Sequence, residues 1–166
     1  MNIKRYRFIA AFVNILLIFL VFVLRYSEIA TLQIGEAVPM LLIPIVIAIS
    51  IFFGENASIL YGIFAGFLAD CAAADTYCFN TLFMVISATL CNLFMSRFLN
   101  RNLKAAVCLS AGVSFGYFFL KYLVFFVFKG ISVHYDYFIL YLIPSVVYTA
   151  VWIIPLYFLE KKLSHA

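Results

Sequence analysis

Residues 4–24 read KRYRFIAAFVNILLIFLVFVL, in which three basic side chains are followed by an almost unbroken apolar run. A helix needs about 20 apolar residues, with a range of about 17–25, to cross the hydrocarbon core of a membrane. The run from Phe8 to Leu24 has this length. It is longer than the apolar part of a secretion signal, and Arg25-Tyr26-Ser27 is a poor cleavage site. We therefore expect a retained transmembrane helix that begins in the cytoplasm.

Five further apolar runs follow along the 166-residue chain. The composition, with 67% hydrophobic and 11% charged residues, is far from the roughly 45–50% apolar and about 25% charged residues of a soluble domain. We therefore predict an all-α integral membrane protein, a bundle of six transmembrane helices in which sequential helices pack antiparallel because their connections are short. A single transmembrane domain, 1–166, has predicted spans at 8–24, 38–53, 57–74, 79–96, 105–128 and 137–159.

The distribution of charge tests this segmentation, because cytoplasmic loops of membrane proteins carry an excess of Lys and Arg. With the N-terminus inside, the outer segments hold only Arg25 and Lys129, and Lys121 lies within the fifth span. The inner segments hold the other eight of the eleven basic residues, which are Lys4, Arg5, Arg7, Arg97, Arg101, Lys104, Lys161 and Lys162. We therefore predict a multi-pass protein with both termini in the cytoplasm.

Small residues recur at every fourth position of the third span, at Ser58, Gly62 and Gly66, and Asp70 ends the series. On a helix these positions form one stripe, and glycines four apart let two helix backbones approach closely. The stripe predicts that the third span is a central helix packed on two sides. Two interpretations stay open: contact with helices of the same chain, or a docking groove for a partner's transmembrane helix.

Two charged residues are predicted to lie within the membrane, Asp70 in the third span and Lys121 in the fifth. Intramembrane charges usually face the bundle interior or a partner. Their depths, roughly 20 Å and 24 Å from the inner boundary, permit a direct ion pair. The alternatives are that Lys121 extends to the outer headgroups and that Asp70 caps the turn after its helix. Asn14 and Asn92, also within spans, predict interhelical hydrogen bonds.

The sequence offers no set of residues typical of catalysis or cofactor binding. It lacks the HExxH, phosphate-loop and dinucleotide-binding motifs, and in this topology its two His residues fall on opposite sides of the membrane. Cys71 and Cys78 flank one predicted outer turn, so a disulfide between them is an alternative to apolar filling. We therefore expect no enzyme activity, no catalytic residue, no metal or cofactor site and no nucleic-acid partner.

Residues 54–82 resemble a known family. A polar turn at 54–56 precedes the glycines at Gly62 and Gly66, Asp70 follows after four further residues, and 79–82 opens the next span. In this order and spacing, and with a basic loop after the fourth span and a basic C-terminal end, the chain resembles the rod shape-determining protein MreD family. Members of that family often have glycines in the turn where this chain has Ala74 and Cys78.

The resemblance implies a non-enzymatic membrane scaffold of the bacterial cell-elongation machinery, located in the cytoplasmic membrane. Such a protein helps to set rod shape and lateral peptidoglycan synthesis by docking a bitopic MreC-like partner. Through that partner it acts alongside an MreB-like filament, a RodA-type glycosyltransferase and a transpeptidase. The family's fold is similar to the six-helix substrate-binding subunits of energy-coupling-factor transporters. Gly62, Gly66 and Asp70 match positions of the family motif.

The alternative function is the small-molecule (vitamin-type) binding subunit of an energy-coupling-factor transporter. It requires an outward-facing cavity with convergent polar groups. The outer segments offer candidates for such a cavity at Glu28, Gln33, Glu36, Tyr77, His134 and Asp136. The basic inner loop 97–104 also has two interpretations, a topology signal or a contact with anionic membrane lipids or a cytoplasmic partner.

Overall fold

The computed structural model describes residues 3–26, 39–73, 78–97, 102–124 and 141–165. These residues form helices and the turns between them, with no strand among them. The helices are α1 Ile3–Tyr26, α2 Leu42–Phe52, α3 Glu55–Ala72, α4 Phe79–Arg97, α5 Leu103–Tyr122, α6 Ile143–Val151 and α7 Ile153–His165. Each of the first five predicted spans overlaps one helix over most of its length, and the sixth is divided between α6 and α7.

The division of the sixth span has a local cause at Pro155. Proline lacks an N–H group, and its ring clashes with the carbonyl of the residue four positions earlier, which here is Val151. The helix accordingly stops at Val151 and restarts at Ile153, after a turn at Trp152. Pro144 lies in the first turn of α6, where proline is well accommodated.

Three helical units are long and apolar enough to cross a membrane, at Phe79–Arg97, Leu103–Tyr122 and Ile143–Ser164. Two shorter apolar helices lie at Ile9–Arg25 and Leu42–Phe52. Large apolar side chains cover the outer surface of the bundle, as at Phe12 and Leu82, which are 61% and 63% exposed. Such a surface is suited to lipid, so the chain is a multi-pass helical membrane protein.

α2 occupies the centre of the bundle. Every residue of Leu42–Phe52 is buried, and α2 packs against all six other described helices. A helix that is apolar all round is stable either inside a protein core or facing lipid, and here α2 is enclosed by protein. The packing on two sides predicted for the third span is present, since α3 contacts α2 and α4. The central position belongs to α2 instead, because α3 has an outer face on which Leu60 and Phe67 are exposed.

The chain is buried even before α2 begins. Met40 is 4% exposed, and its backbone N–H donates to Oγ1 of Thr149 at 3.2 Å. The Thr149 hydroxyl in turn donates to the carbonyl oxygen of Ser145 at 2.6 Å. Backbone outside a helix is tolerated at membrane depth only where the protein satisfies its polar groups. The hydroxyl of Thr149 satisfies this non-helical backbone group, and α2 starts at Leu42 rather than at the predicted residue 38.

Candidate functional site

The small-residue stripe of α3 lies against α4, and these two helices form the most extensive helix pair among the described elements. A Cβ atom placed on Gly62 lies 3.2 Å from the carbonyl oxygen of Met84. A Cβ atom placed on Gly66 lies only 2.8 Å from the backbone nitrogen of Thr81. Any side chain at Gly66 therefore collides with the backbone of α4. The stripe is covered by a helix of the same chain, and the approach is closest at Gly66.

Asp70, one turn after Gly66, caps the N-terminus of α4. Its Oδ1 accepts the backbone N–H of Asn80 at 3.1 Å, and its Oδ2 accepts the backbone N–H of Thr81 at 2.8 Å. The Thr81 hydroxyl also donates to Oδ2, at 2.6 Å. These N–H groups belong to the first turn of α4, where a helix cannot satisfy them itself. A carboxylate is also favoured there by the helix dipole.

Cys78 stands immediately before α4 in the left-handed backbone conformation, with φ 62°. This conformation is costly for any residue with a Cβ atom, and a thiol is a weak hydrogen-bond acceptor. Position 78 therefore has a backbone conformation that suits glycine better than cysteine. Because the Cys78 side chain is a poor cap for α4, the carboxylate of Asp70 takes that role. Cys71 and Cys78 are free thiols, so the disulfide considered from the sequence does not form in this structure.

The capped end of α4 is connected to α5 through Tyr117. The Tyr117 hydroxyl donates to Oδ1 of Asn80 at 2.8 Å, and both residues are buried. The Nζ atom of Lys121 lies 5.8 Å from the centroid of the Tyr117 ring, within the range of a cation–π contact. Asp70 and Lys121 thus stand at the two ends of one network, and a direct ion pair between them stays a prediction.

Asn92 provides a second polar anchor, three turns further along α4. Its Nδ2 donates to the carbonyl oxygens of Ser50 at 2.7 Å and Phe53 at 2.9 Å. These carbonyls lie at the C-terminal end of α2, where the helix leaves such groups without an internal partner. The interhelical hydrogen bonds predicted for Asn92 are therefore present. α4 receives a cap from α3 near one end and supplies one to α2 near the other.

A buried polar cluster lies between α1, α3 and α7. The interhelical hydrogen bond predicted for Asn14 of this cluster is not formed with a described residue, and Glu160 was not predicted as a member. Asn14 and Glu160 are both 0% exposed. Tyr61 lies within interaction range of both, and Asn14 lies near Glu160. Neither the Asn14 amide nor the Glu160 carboxylate reaches hydrogen-bond geometry with a described residue. The predicted sixth span ends at 159, which assigns Glu160 to the polar chain end.

The spacing of residues along α7 indicates that Glu160 is buried. Ile153, Tyr157 and Glu160 follow at intervals of four and three and are all buried. They therefore share the inward face of α7. A helical projection continued past residue 159 places Glu160 inside the bundle.

The polar groups of these sites hold helices in place. The carboxylate of Asp70 is occupied by three hydrogen bonds. Within the described ranges, no group of three or more His, Cys, Asp or Glu residues could hold a metal ion. Arg101, Ala74 and all six outer-loop candidates for a ligand cavity lie outside the described residues.

The fold and the network together define a multi-pass helical membrane protein whose buried polar groups fix the positions of its helices. A comparison with known families matches residues 6–165 to the model described as rod shape-determining protein MreD. The chain therefore belongs to the MreD family, and the resemblance drawn from residues 54–82 is confirmed. No curated protein and no solved structure gives a significant match, so the likeness to energy-coupling-factor subunits stays a prediction.

Proposed function

We propose that this chain is a non-enzymatic scaffold of the bacterial cell-elongation machinery, which helps to set rod shape and lateral peptidoglycan synthesis. The family match over residues 6–165 carries this proposal. The scaffold docks a bitopic MreC-like membrane protein. Through it the chain acts alongside an MreB-like filament, a RodA-type glycosyltransferase and a transpeptidase. Both termini lie in the cytoplasm, an orientation favoured by the basic residues near each end of the chain.

The contacts between α3, α4 and α5 support a structural role. Asp70, Asn80 and Tyr117 use their hydrogen-bonding groups on one another and on the end of a helix. A bundle fixed in this way presents a preformed surface, which reduces the entropy lost when a partner binds. Because α4 covers the small-residue stripe, we place the partner's helix on the outer surface of the bundle and not on Gly62 and Gly66.

Site-specific photo-crosslinking in rod-shaped cells tests the proposal. A photoreactive residue is placed at one outward position on each of three helices, for example Phe12 on α1, Leu60 on α3 and Leu82 on α4, all exposed in the structure. We expect crosslinks to a tagged MreC-like protein from one side of the bundle, with omission of light as the control. The proposal fails if no position yields this product and cells depleted of the chain keep their rod shape.

A further inference from the structure

A lateral groove of about 680 Å³ separates α4 from α5. Leu90 and Phe94 of α4 form one wall, and Leu109 and Val113 of α5 form the other. Leu90 and Phe94 are 48% and 47% exposed, so this wall is open at the side of the bundle. The groove takes no part in the hydrogen-bond network between Asp70 and Tyr117.

Basic residues stand at one end of this groove. Lys104 belongs to its lining, together with Asn102. Arg97 lines an adjoining hollow that shares Leu90 and Phe94 with the groove. Neither lining includes an acidic side chain. The complementary ligand therefore has an apolar body and an anionic group at one end, which is the chemistry of an anionic phospholipid.

The length of the groove separates a lipid from a partner helix. The groove extends along α5 from Lys104 to Val113, nine residue steps or about 14 Å at about 1.5 Å per residue. This is about half of the ~30 Å hydrocarbon core, so it corresponds to one leaflet. A partner's transmembrane helix would need a contact surface along the whole core. The groove thus fits a lipid of a single leaflet better than a spanning helix.

We propose that the groove between α4 and α5 binds an anionic phospholipid of the inner leaflet. The acyl chains lie between the walls that contain Phe94 and Leu109, and the phosphate lies against Lys104 and Arg97. The choice of the inner leaflet rests on the proposed topology with both termini in the cytoplasm. The preference for an anionic headgroup does not rest on it, nor on the docking of an MreC-like partner.

Native mass spectrometry of the purified full-length chain tests the headgroup preference. The chain is exchanged into mixed micelles containing equal amounts of phosphatidylglycerol and phosphatidylcholine, and the lipid retained is measured. We expect several-fold preference for phosphatidylglycerol in the unmodified chain. The double variant Arg97→Gln, Lys104→Gln should reduce this preference by about fivefold or more. Its matched control is Lys161→Gln, Lys162→Gln, which removes the same charge from α7 and should retain the preference.

A second pair of variants tests the groove itself. A Cβ atom on Gly112 meets nothing within 4 Å, and Gly112 lines the groove, so Gly112→Leu directs a large apolar side chain into the groove from an unobstructed Cβ position. Gly116 has the same open space on the same helix but is not part of the lining. We expect Gly112→Leu to reduce retention of both lipids and Gly116→Leu to leave it unchanged.

Three results overturn the proposal. The first is equal retention of the two lipids by the unmodified chain, and the second is unchanged phosphatidylglycerol retention in Gly112→Leu. The third is a crosslink in cells from Cys108, an exposed groove residue, to a partner's transmembrane helix. The lipid measurements use the purified chain alone, so their failure is distinct from a failure of the scaffold proposal.

Discussion

The carboxylate of Asp70, near the end of α3, lies 2.8 Å from the backbone nitrogen of Thr81 in the first turn of α4. The same stretch of α4 also lies against Gly66, where a Cβ atom would collide with the Thr81 backbone. The cap and the glycine therefore depend on each other, because Asp70 reaches its two N–H groups only while α3 and α4 stay this close. Gly66 and Asp70 of α3 therefore together hold the first turn of α4 in place.

Removal of the cap should destabilise the protein. We expect Asp70→Ala to lower the free energy of unfolding by about 1–3 kcal/mol, since the N–H groups of Asn80 and Thr81 lose their acceptor. Asp70→Asn keeps one acceptor oxygen and should lose less. Unfolding in mixed detergent micelles measures both. Glu55→Gln, at the exposed start of α3, is the control and should change stability by at most about 0.5 kcal/mol. Equal losses in Asp70→Ala and Glu55→Gln would contradict the capping role.

The two glycines of the stripe should differ in their tolerance of alanine. Gly66→Ala meets backbone atoms of α4 that cannot move aside, and we expect a loss of about 1–3 kcal/mol or more. Gly62→Ala, with its nearest atoms at 3.2 Å, should lose less. Gly112→Ala has no neighbour within 4 Å and serves as the control, with no loss. Thermal unfolding in detergent gives the order, and a larger loss at Gly62 than at Gly66 would refute this packing.

The left-handed backbone of Cys78 predicts a substitution that raises the stability of the protein. Cys78→Gly should stabilise the protein by about 1 kcal/mol, because glycine adopts a φ of 62° without steric cost. Cys71→Gly, in the last turn of α3, is the matched control. It should destabilise the protein by roughly 0.5–1 kcal/mol, since glycine is a poor helix former. Chemical unfolding of both variants under reducing conditions measures the difference, and effects of the same sign would argue against the strain at Cys78.

The sequence predicts where the helices lie along the chain better than it predicts which helices pack against each other. Hydropathy and length locate α4 within one residue of its predicted span, because both depend only on local composition. The stripe on α3 shows which face is small. One predicted alternative had Asp70 cap the turn after α3, whereas its carboxylate caps the first turn of α4. Periodicity identifies the buried face of a helix but does not name the helix that covers it. For this reason, the partner of the stripe could be read only from the structure.

The central position of α2 and the burial of Glu160 could also be recognised only from the tertiary structure, for a different reason. The central position of α2 depends on how six helices surround an element of 11 residues, which is shorter than a membrane span. Glu160 was placed outside the membrane by its charge, yet the inward face of α7 carries it into the bundle. Charge is a good guide to topology on average, but it does not override the position of a residue on a helix face.

Lys121 should be coupled energetically to Tyr117. A double-mutant cycle of Lys121→Met with Tyr117→Leu should show a coupling of about 0.5–1 kcal/mol from the cation–π contact. The same Lys121→Met change combined with Asp70→Asn tests the direct ion pair. Near-additive effects in this second cycle, within about 0.5 kcal/mol, are expected if Lys121 acts on the Tyr117 ring alone. A coupling well above this value would establish the Asp70–Lys121 pair. The observable is the free energy of unfolding in each cycle.

Glu160 should be less favourable in its buried position as a carboxylate than glutamine, its amide counterpart. Its two oxygens are buried without a hydrogen-bond partner among the described residues, and burial of such a group is unfavourable. Glu160→Gln keeps the size of the side chain and adds an N–H donor facing the Asn14 amide. We therefore expect a stability gain of about 1–3 kcal/mol. Lys161→Gln, on the exposed face of the same turn, should have little effect. Unfolding of the two variants in the same detergent decides the matter, because a loss of stability in Glu160→Gln means that the carboxylate has a favourable partner in the folded protein.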